Sequence, residues 1–272
     1  MKIGCSSVVY RQYELDRALD AIKRNGYQYF ETQAVGPWCN HVVLGQDDPI
    51  KFAEKAKSYG LGVTGLWTLE GALIPNGDTC VPTVTKAIEW AAAAGIPVVN
   101  LGDGYKPDEM SLDEAFKRLS ERVLTLVEVA EKNNVIIGLE PHGAFSLTAS
   151  GLKKILTITD SSNFGINYDC GNIHGYGHED GVPESNENIE VRILRAIADR
   201  VVHFHAKDMD GNKKCQALGK GETDVAGCID VMKKVGYQGV ISYETSGGME
   251  FEVADQFAIE SKKFLDIHVP LD

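Results

Sequence analysis

Residues 135–142 read VIIGLEPH: an apolar run, one glycine, then a carboxylate, Glu140, at its far end. Successive strand residues face opposite sides. Ile136, Gly138, Glu140 and His142 therefore share one side, and Val135, Ile137 and Leu139 share the other. Three later stretches repeat the pattern. FGINYDCGN (164–172) ends in Asp169, VVHFHAKD (201–208) carries His205, and GVISYETSGG (239–248) carries Glu244. In each, the metal-ligand type of side chain shares the smaller or more polar side, and the bulky residues take the opposite one. The same parity turns Glu31, Trp67 and Asn100 inward at the ends of three earlier strands.

Upstream, KIGCSSV (2–8), YQYFETQ (27–33), GVTGLWT (62–68) and PVVNLGDG (97–104) bring the strand candidates to eight. Helical patterns separate them. Leu15, Ala18, Leu19 and Ile22 make one face of 14–26. Ala115, Leu119, Val123, Leu126, Val127 and Ala130 do so in 111–134, and Val253, Ala254, Phe257, Ala258, Ser261, Phe264 and Leu265 in 251–267; this is the spacing of a helix with one buried face. Ser111 and Glu114 have capping-box spacing. Gly26, Gly60, Gly95 and Gly236 stand where left-handed caps want glycine. Strands alternating with helices argue a parallel sheet, and eight units argue one closed (β/α)₈ TIM barrel over 1–272. No GxGxxG follows the first strand, which disfavours a dinucleotide fold.

Composition narrows the partners. The net charge is −12 with no concentrated basic patch, so nucleic acid is not an expected partner. Six cysteines, Cys5, Cys39, Cys80, Cys170, Cys215 and Cys228, form no CxxC pair, which suits free thiols in a reducing cytoplasm. No apolar run reaches the roughly 20 residues of a membrane span, and the first residues lead straight into a strand rather than a signal peptide. A cytoplasmic protein with no membrane partner is the expectation.

Polar residues at the C-terminal ends of barrel strands read as chemistry. Glu140, Asp169, His205 and Glu244 come from strands five to eight and converge on one point. Three carboxylates and an imidazole suit octahedral Mn²⁺ best, with Mg²⁺, Co²⁺ or Zn²⁺ as alternatives. Buried unpaired carboxylates would otherwise protonate, so the set calls for a cation.

On LEPHG, YDCGN, HFHAKD, LGKGETD and SYETSGG, across essentially the whole chain, the sequence resembles the sugar phosphate isomerase/epimerase family with its xylose isomerase-like barrel, including ketose 3-epimerases and inosose dehydratase-type relatives. The resemblance implies that Glu140, Asp169, His205 and Glu244 are the metal ligands and that the two glutamates double as an acid/base pair. It also makes a homo-oligomer plausible. Two departures stand out. Asn172 replaces a histidine many relatives carry, and Asn172, Asp208 and Asp210 stand where the endonuclease branch has extra histidine ligands, so a trinuclear zinc centre is not expected. Lys207 and Asp208 follow His205 where the epimerases soon have an arginine.

A cation chelated by a carbonyl and its neighbouring hydroxyl acidifies the adjacent C–H. The expected function is therefore a divalent-metal-dependent isomerase or epimerase acting on a ketose or keto-polyol through a metal-stabilised enediolate. A lyase or dehydratase on a keto-sugar, keto-glycoside or keto-inositol is the alternative, and an endonuclease IV-like phosphodiesterase is a weaker one. His142, two residues past Glu140, is a candidate acid or base, since imidazole titrates near neutrality. Trp38, Trp67, Asn100, Asn172 and Lys207 are candidate substrate contacts. Lys207 could instead pair with Asp208 or Glu244. His203 reads as a residue behind the site, His174 and His178 as loop histidines near it, and His41 as part of a lid loop. With Lys220 as the one basic residue near the glycines after strand seven, a non-phosphorylated substrate is expected.

Overall fold

The computed structural model describes residues 1–68 and 73–269. Eight parallel strands close a barrel: β1 (Lys2–Ser6), β2 (Tyr29–Ala34), β3 (Gly62–Thr68), β4 (Val98–Gly102), β5 (Ile136–Glu140), β6 (Phe164–Asp169), β7 (Val201–Ala206) and β10 (Val240–Tyr243), the last pairing with both β7 and β1. Helices α1 (Leu15–Arg24), α2 (Pro49–Ser58), α3 (Cys80–Ala93), α4 (Leu112–Asn133), α5 (Ala149–Leu156), α6 (Cys170–Tyr176), α7 (Ile189–Arg195), α8 (Val225–Lys234) and α9 (Phe251–His268) fill the connections. After β7, a short antiparallel ribbon pairs β8 (Asp208–Met209) with β9 (Cys215–Gln216). No described helix is long and apolar enough to cross a membrane.

The strands stop sooner than their apolar runs suggest. Ser7–Tyr10 coil into a 3₁₀ turn, Cys170 already opens α6, and β10 ends one residue before Glu244. Candidate ligands at strand ends are thus handed directly to loops or helices. Asp169 caps α6 by accepting from Asn172 N at 2.8 Å.

The helix faces follow the spacing. All six apolar positions read for α4 are buried, and Ser111 and Glu114 form the capping box. Gly26, Gly60, Gly95 and Gly236 all have positive φ. In α9 the buried line is narrower than the sequence pattern: Ala254, Ala258, Ser261 and Leu265 are buried, but Val253 is 44% exposed and Phe257 and Phe264 are half-buried. Small residues let this helix lie close to the barrel, where Tyr27 Oη donates to the Ala258 carbonyl at 2.9 Å. Val253 lies one residue, about 100° of turn, off that line.

Strand parity divides the interior as expected. Ile137, Leu139, Ile166, Tyr168, Phe204, Ile241 and Tyr243 join the apolar layer, while Glu31, Asn100, Asn167, His203 and His205 are fully buried as a polar layer. Glycines make room for it. A Cβ on Gly138 would run into Asn100 Oδ1 and come within 3.1 Å of Asn167 Cβ. Gly138→Ala should therefore cost about 1–3 kcal/mol in chemical denaturation, the range for overpacking a tight interior. An unchanged midpoint would show that the layer is looser than described.

Candidate metal centre

Glu140 is the last residue of β5, Asp169 the last of β6, His205 the penultimate residue of β7, and Glu244 follows β10. One ligand atom from each falls in a group whose members all lie within 4.8 Å of one another. His205 Nδ1 faces the point of convergence, 2.9 Å from Glu244 Oε2, 3.2 Å from Glu140 Oε2 and 4.0 Å from Asp169 Oδ2. Oxygen-rich donors, burial and mutual approach fit a hard or borderline divalent cation.

Each ligand is held by its own partners. Glu140 accepts from Trp67 Nε1 at 2.5 Å, Asn167 Nδ2 at 2.9 Å and Asn172 Nδ2 at 3.1 Å, and His142 Nε2 lies 2.8 Å from its Oε1. The Lys207 ammonium donates to Asp169 Oδ2 and Glu244 Oε1, both at 2.7 Å, and to Asn172 Oδ1 at 3.2 Å.

The charges follow from this packing. Burial works against the Glu140 carboxylate, but the His142 and His205 charges outweigh it and hold the group well below the carboxylate range. For Glu244, burial is likewise outweighed, by His205 and then Lys207. For Asp169, burial wins over Lys207 and raises the group. Burial disfavours the charged forms of His205 and Lys207, yet the surrounding carboxylates raise both well above their ordinary values. Burial sends His203 the other way, down to about 4, so it stays neutral. Without a metal, His142, His205 and Lys207 are the positive groups that offset the carboxylate cluster.

Glu140 and Glu244 of the cluster line a cavity of about 280 Å³ at the barrel mouth, with Asp169 and His205 buried behind them. Of the proposed substrate contacts, Trp38, Trp67, Asn172 and Lys207 line it, as do Glu140, His142 and Glu244. Trp38 is 36% exposed at the rim under the Arg11 guanidinium, and Trp67 meets His142 edge-on at 5.7 Å. Asn100 does not reach the cavity. It is fully buried and gives its Nδ2–H to Glu31 Oε1 at 2.7 Å, because the inward residue of β4 falls in the polar layer behind the candidate metal ligands.

The other histidines sort cleanly. His203 is buried behind the site with Nδ1 3.0 Å from Asn167 Oδ1. His174 lies beside Glu190 at 3.3 Å, and neither it nor His178 lines the cavity. His41 is buried, between Ser7 Oγ at 2.8 Å and the Tyr13 carbonyl at 3.0 Å, so it anchors its loop rather than facing the cavity. Lys207 pairs with Glu244, not with Asp208. Asp208 turns away, its Oδ2 accepting from the backbone N–H of Gly219, Lys220 and Gly221 and its Oδ1 from that of Thr223.

Several participants escape motif reading. Asp103 accepts from Phe145 N, Ser146 N and Ser146 Oγ, and Ser146 Oγ accepts from the backbone N–H of His142 at 2.9 Å. The loop after β4 thereby fixes the one carrying His142. The signal available was Asp103 inside NLGDG, just past a strand end. Gln33, Tyr105 and Tyr176 also line the cavity, the two tyrosines 65% and 42% exposed. Nothing in their local sequence marks them.

Known proteins share this architecture. A family model described as a xylose isomerase-like TIM barrel matches residues 19–265. An uncharacterized protein of Methanocaldococcus jannaschii is 31% identical over 196 residues, 68% of this chain; the match spans 60% of that protein's length. Among solved structures, a D-tagatose 3-epimerase-like protein superposes with a TM-score of 0.80 at 23% identity, covering 99% of this chain and 97% of the other. The D-psicose 3-epimerase of Clostridium cellulolyticum H10, solved with D-tagatose, gives 0.80 at 15% identity over the full length of both chains. The IOLI protein with a bound zinc atom gives 0.78 at 17%, covering 98% of each. At these identities the structures establish a shared fold, and with the family match over 19–265 the chain belongs to the xylose isomerase-like TIM barrel family.

Proposed function

We propose that this protein is a divalent-metal-dependent isomerase or epimerase of a non-phosphorylated ketose or keto-polyol. The observation that carries the reading is the convergence of Glu140, Asp169, His205 and Glu244, of which Glu140 and Glu244 line a cavity whose other polar groups include Gln33, Asn172, Lys207, Thr245 and Ser246. These are hydrogen-bonding groups suited to hydroxyls. A bound cation would polarise a carbonyl and its neighbouring hydroxyl; Mn²⁺ is the metal the oxygen-rich set favours.

The chain's own groups then move the proton. Glu244 and Glu140 follow strands three steps apart round an eight-strand ring, so they approach a substrate from separate walls. Glu244, paired with Lys207 and His205, takes the proton from the carbon beside the carbonyl. The returned proton comes from His142, 2.8 Å from the ionised Glu140, which passes it to the other side of the substrate. Return to the same carbon inverts it; return to the neighbouring carbon isomerises. Lys207, held as an ammonium, offsets the negative charge that develops on oxygen and is no free amine for Schiff-base chemistry. The lyase reading has one specific support. His142 sits at the cavity, its side chain 30% exposed, where it could protonate a departing oxygen.

The same site speaks against a phosphate. Barrels often bind phosphate on backbone N–H groups after strands seven and eight. Here four such groups after β7 are taken by the Asp208 carboxylate, and Lys220 is exposed nearby.

The test is deuterium uptake in D₂O with Mn²⁺, against ketoses, inososes and 3-keto-glycosides, with a chelated control. Uptake beside the carbonyl that stops on chelation is expected, and the labelled product separates epimerase, isomerase and lyase. Uptake that persists without metal, or only with phosphorylated sugars, would contradict the proposal.

A further inference from the structure

We infer that Glu31 is a positioning residue for the metal centre: it holds the Nε2–H of His205 so that Nδ1 is the atom offered to the cation. The inference rests on the metal reading of the site and goes beyond its four ligands.

The two ring nitrogens of His205 face different groups. Nδ1 faces Glu140, Asp169 and Glu244, whereas Nε2 lies 2.9 Å from Glu31 Oε2. Both side chains are fully buried. A ligating histidine usually gives its other N–H to a carboxylate or carbonyl, which sets the tautomer, fixes the ring and raises its basicity. Glu31 is the one carboxylate on the Nε2 side among the described residues within this cluster.

The barrel is built to keep Glu31 there. The β2–β3 register shifts between Phe30 and Glu31, so that Phe30 pairs with Val63 but Glu31 with Gly65. The extra residue, Thr64, is on β3, so the bulge brings Gly65 rather than Thr64 opposite Glu31. Gly65 leaves the room: a Cβ there would lie 3.3 Å from Glu31 Cγ and 3.2 Å from both Asn100 Nδ2 and His203 Nε2. The second carboxylate oxygen is fixed by Asn100 Nδ2 at 2.7 Å. Gln33 Nε2 approaches Oε2 at 3.5 Å and donates to Ser6 Oγ at 2.9 Å. Asn100 thus acts at one remove, through Glu31.

The experiment measures Zn²⁺ and Mn²⁺ affinity by calorimetry and reads the His205 tautomer by long-range ¹⁵N–¹H NMR of the Zn²⁺-loaded, ¹⁵N-histidine-labelled chain. In the wild type, one equivalent should bind, with a proton on Nε2 and none on Nδ1. Glu31→Leu should raise the metal Kd by roughly 10–100-fold and remove the Nε2–H···O signature. Glu31→Gln, whose amide oxygen can still accept, should keep the tautomer and show the smaller loss; it also serves if the leucine variant does not fold by circular dichroism. A metal on Nε2, two equivalents bound, or unchanged affinity and tautomer in folded variants would overturn the inference. A wild type that binds no divalent cation would overturn the metal reading itself, so the two failures are distinct.

Discussion

Glu244→Gln at saturating metal should lower metal-dependent C–H exchange by about 10²–10⁴-fold, the usual contribution of a positioned general base. The substitution keeps shape and an oxygen able to accept from Lys207, and removes the basic carboxylate. Its environment explains the size of the effect. Glu244 lies against His205 at 2.9 Å and Lys207 at 2.7 Å, whose charges outweigh burial and keep it ionised in the metal-free protein, and Lys207 remains beside it when a metal binds. It also lines the cavity, so it can reach a substrate carbon. Since it is a proposed ligand too, metal affinity should fall in parallel, and comparing rates at saturation separates the two roles. Glu140→Gln should be similarly damaging by another route, because it disturbs the acceptor shared by Trp67, Asn167 and Asn172. Exchange at near-wild-type rates in the Glu244 variant would remove it from the chemistry.

The second large effect concerns stability. Lys207→Met should destabilise the metal-free protein by about 3–5 kcal/mol, the cost of leaving buried charges without their partner. Asp169 and Glu244 would both lose a 2.7 Å ammonium contact. Added Mn²⁺ should recover more of the melting temperature in this variant than in the wild type, since a cation takes over part of the compensation. The pH dependence has a definite sign. His205 has a folded-state pKa raised well above 6.5, so its protonation contributes stability that is fully present below 6.5 and lost as pH rises through the raised value. A cation on Nδ1 displaces that proton. Apparent metal affinity should therefore increase with pH, and the loaded protein should melt with less pH dependence than the metal-free one. Thermal scans across pH with and without Mn²⁺ check both statements; metal affinity that fell with rising pH would contradict them.

Most of the barrel could be read from the chain because two periods are written plainly in it. Alternation at Gly138, Glu140, Asn167, Asp169, His203 and His205 separated inside from outside, and the structure keeps that separation. The candidate ligand group also came from parity, since Glu140 and Asp169 end their strands, His205 stands one residue before the end of β7 and Glu244 just past β10. What the sequence hid was depth and direction. Asn100 has the right parity but lies one layer behind the cavity. Lys207, past the end of β7, could have turned to either neighbour, and the loop hydrogen bonds of Asp208 decide that it faces Glu244. Asp103 and Ser146 act through a contact between residues 43 apart. The bulge that sets Gly65 opposite Glu31 is a register event between strands, with no local sign in YQYFETQ. The small-residue line of α9 was likewise masked by the larger apolar residues beside it.

The most direct test of the account is a crystal structure of the Mn²⁺-loaded protein with anomalous data at two energies bracketing the manganese edge. The account predicts one manganese peak within coordination distance of Glu140, Asp169, Glu244 and His205 Nδ1, with the Nε2 of that ring still on Glu31. A peak elsewhere, or no peak at full solution occupancy, would contradict it.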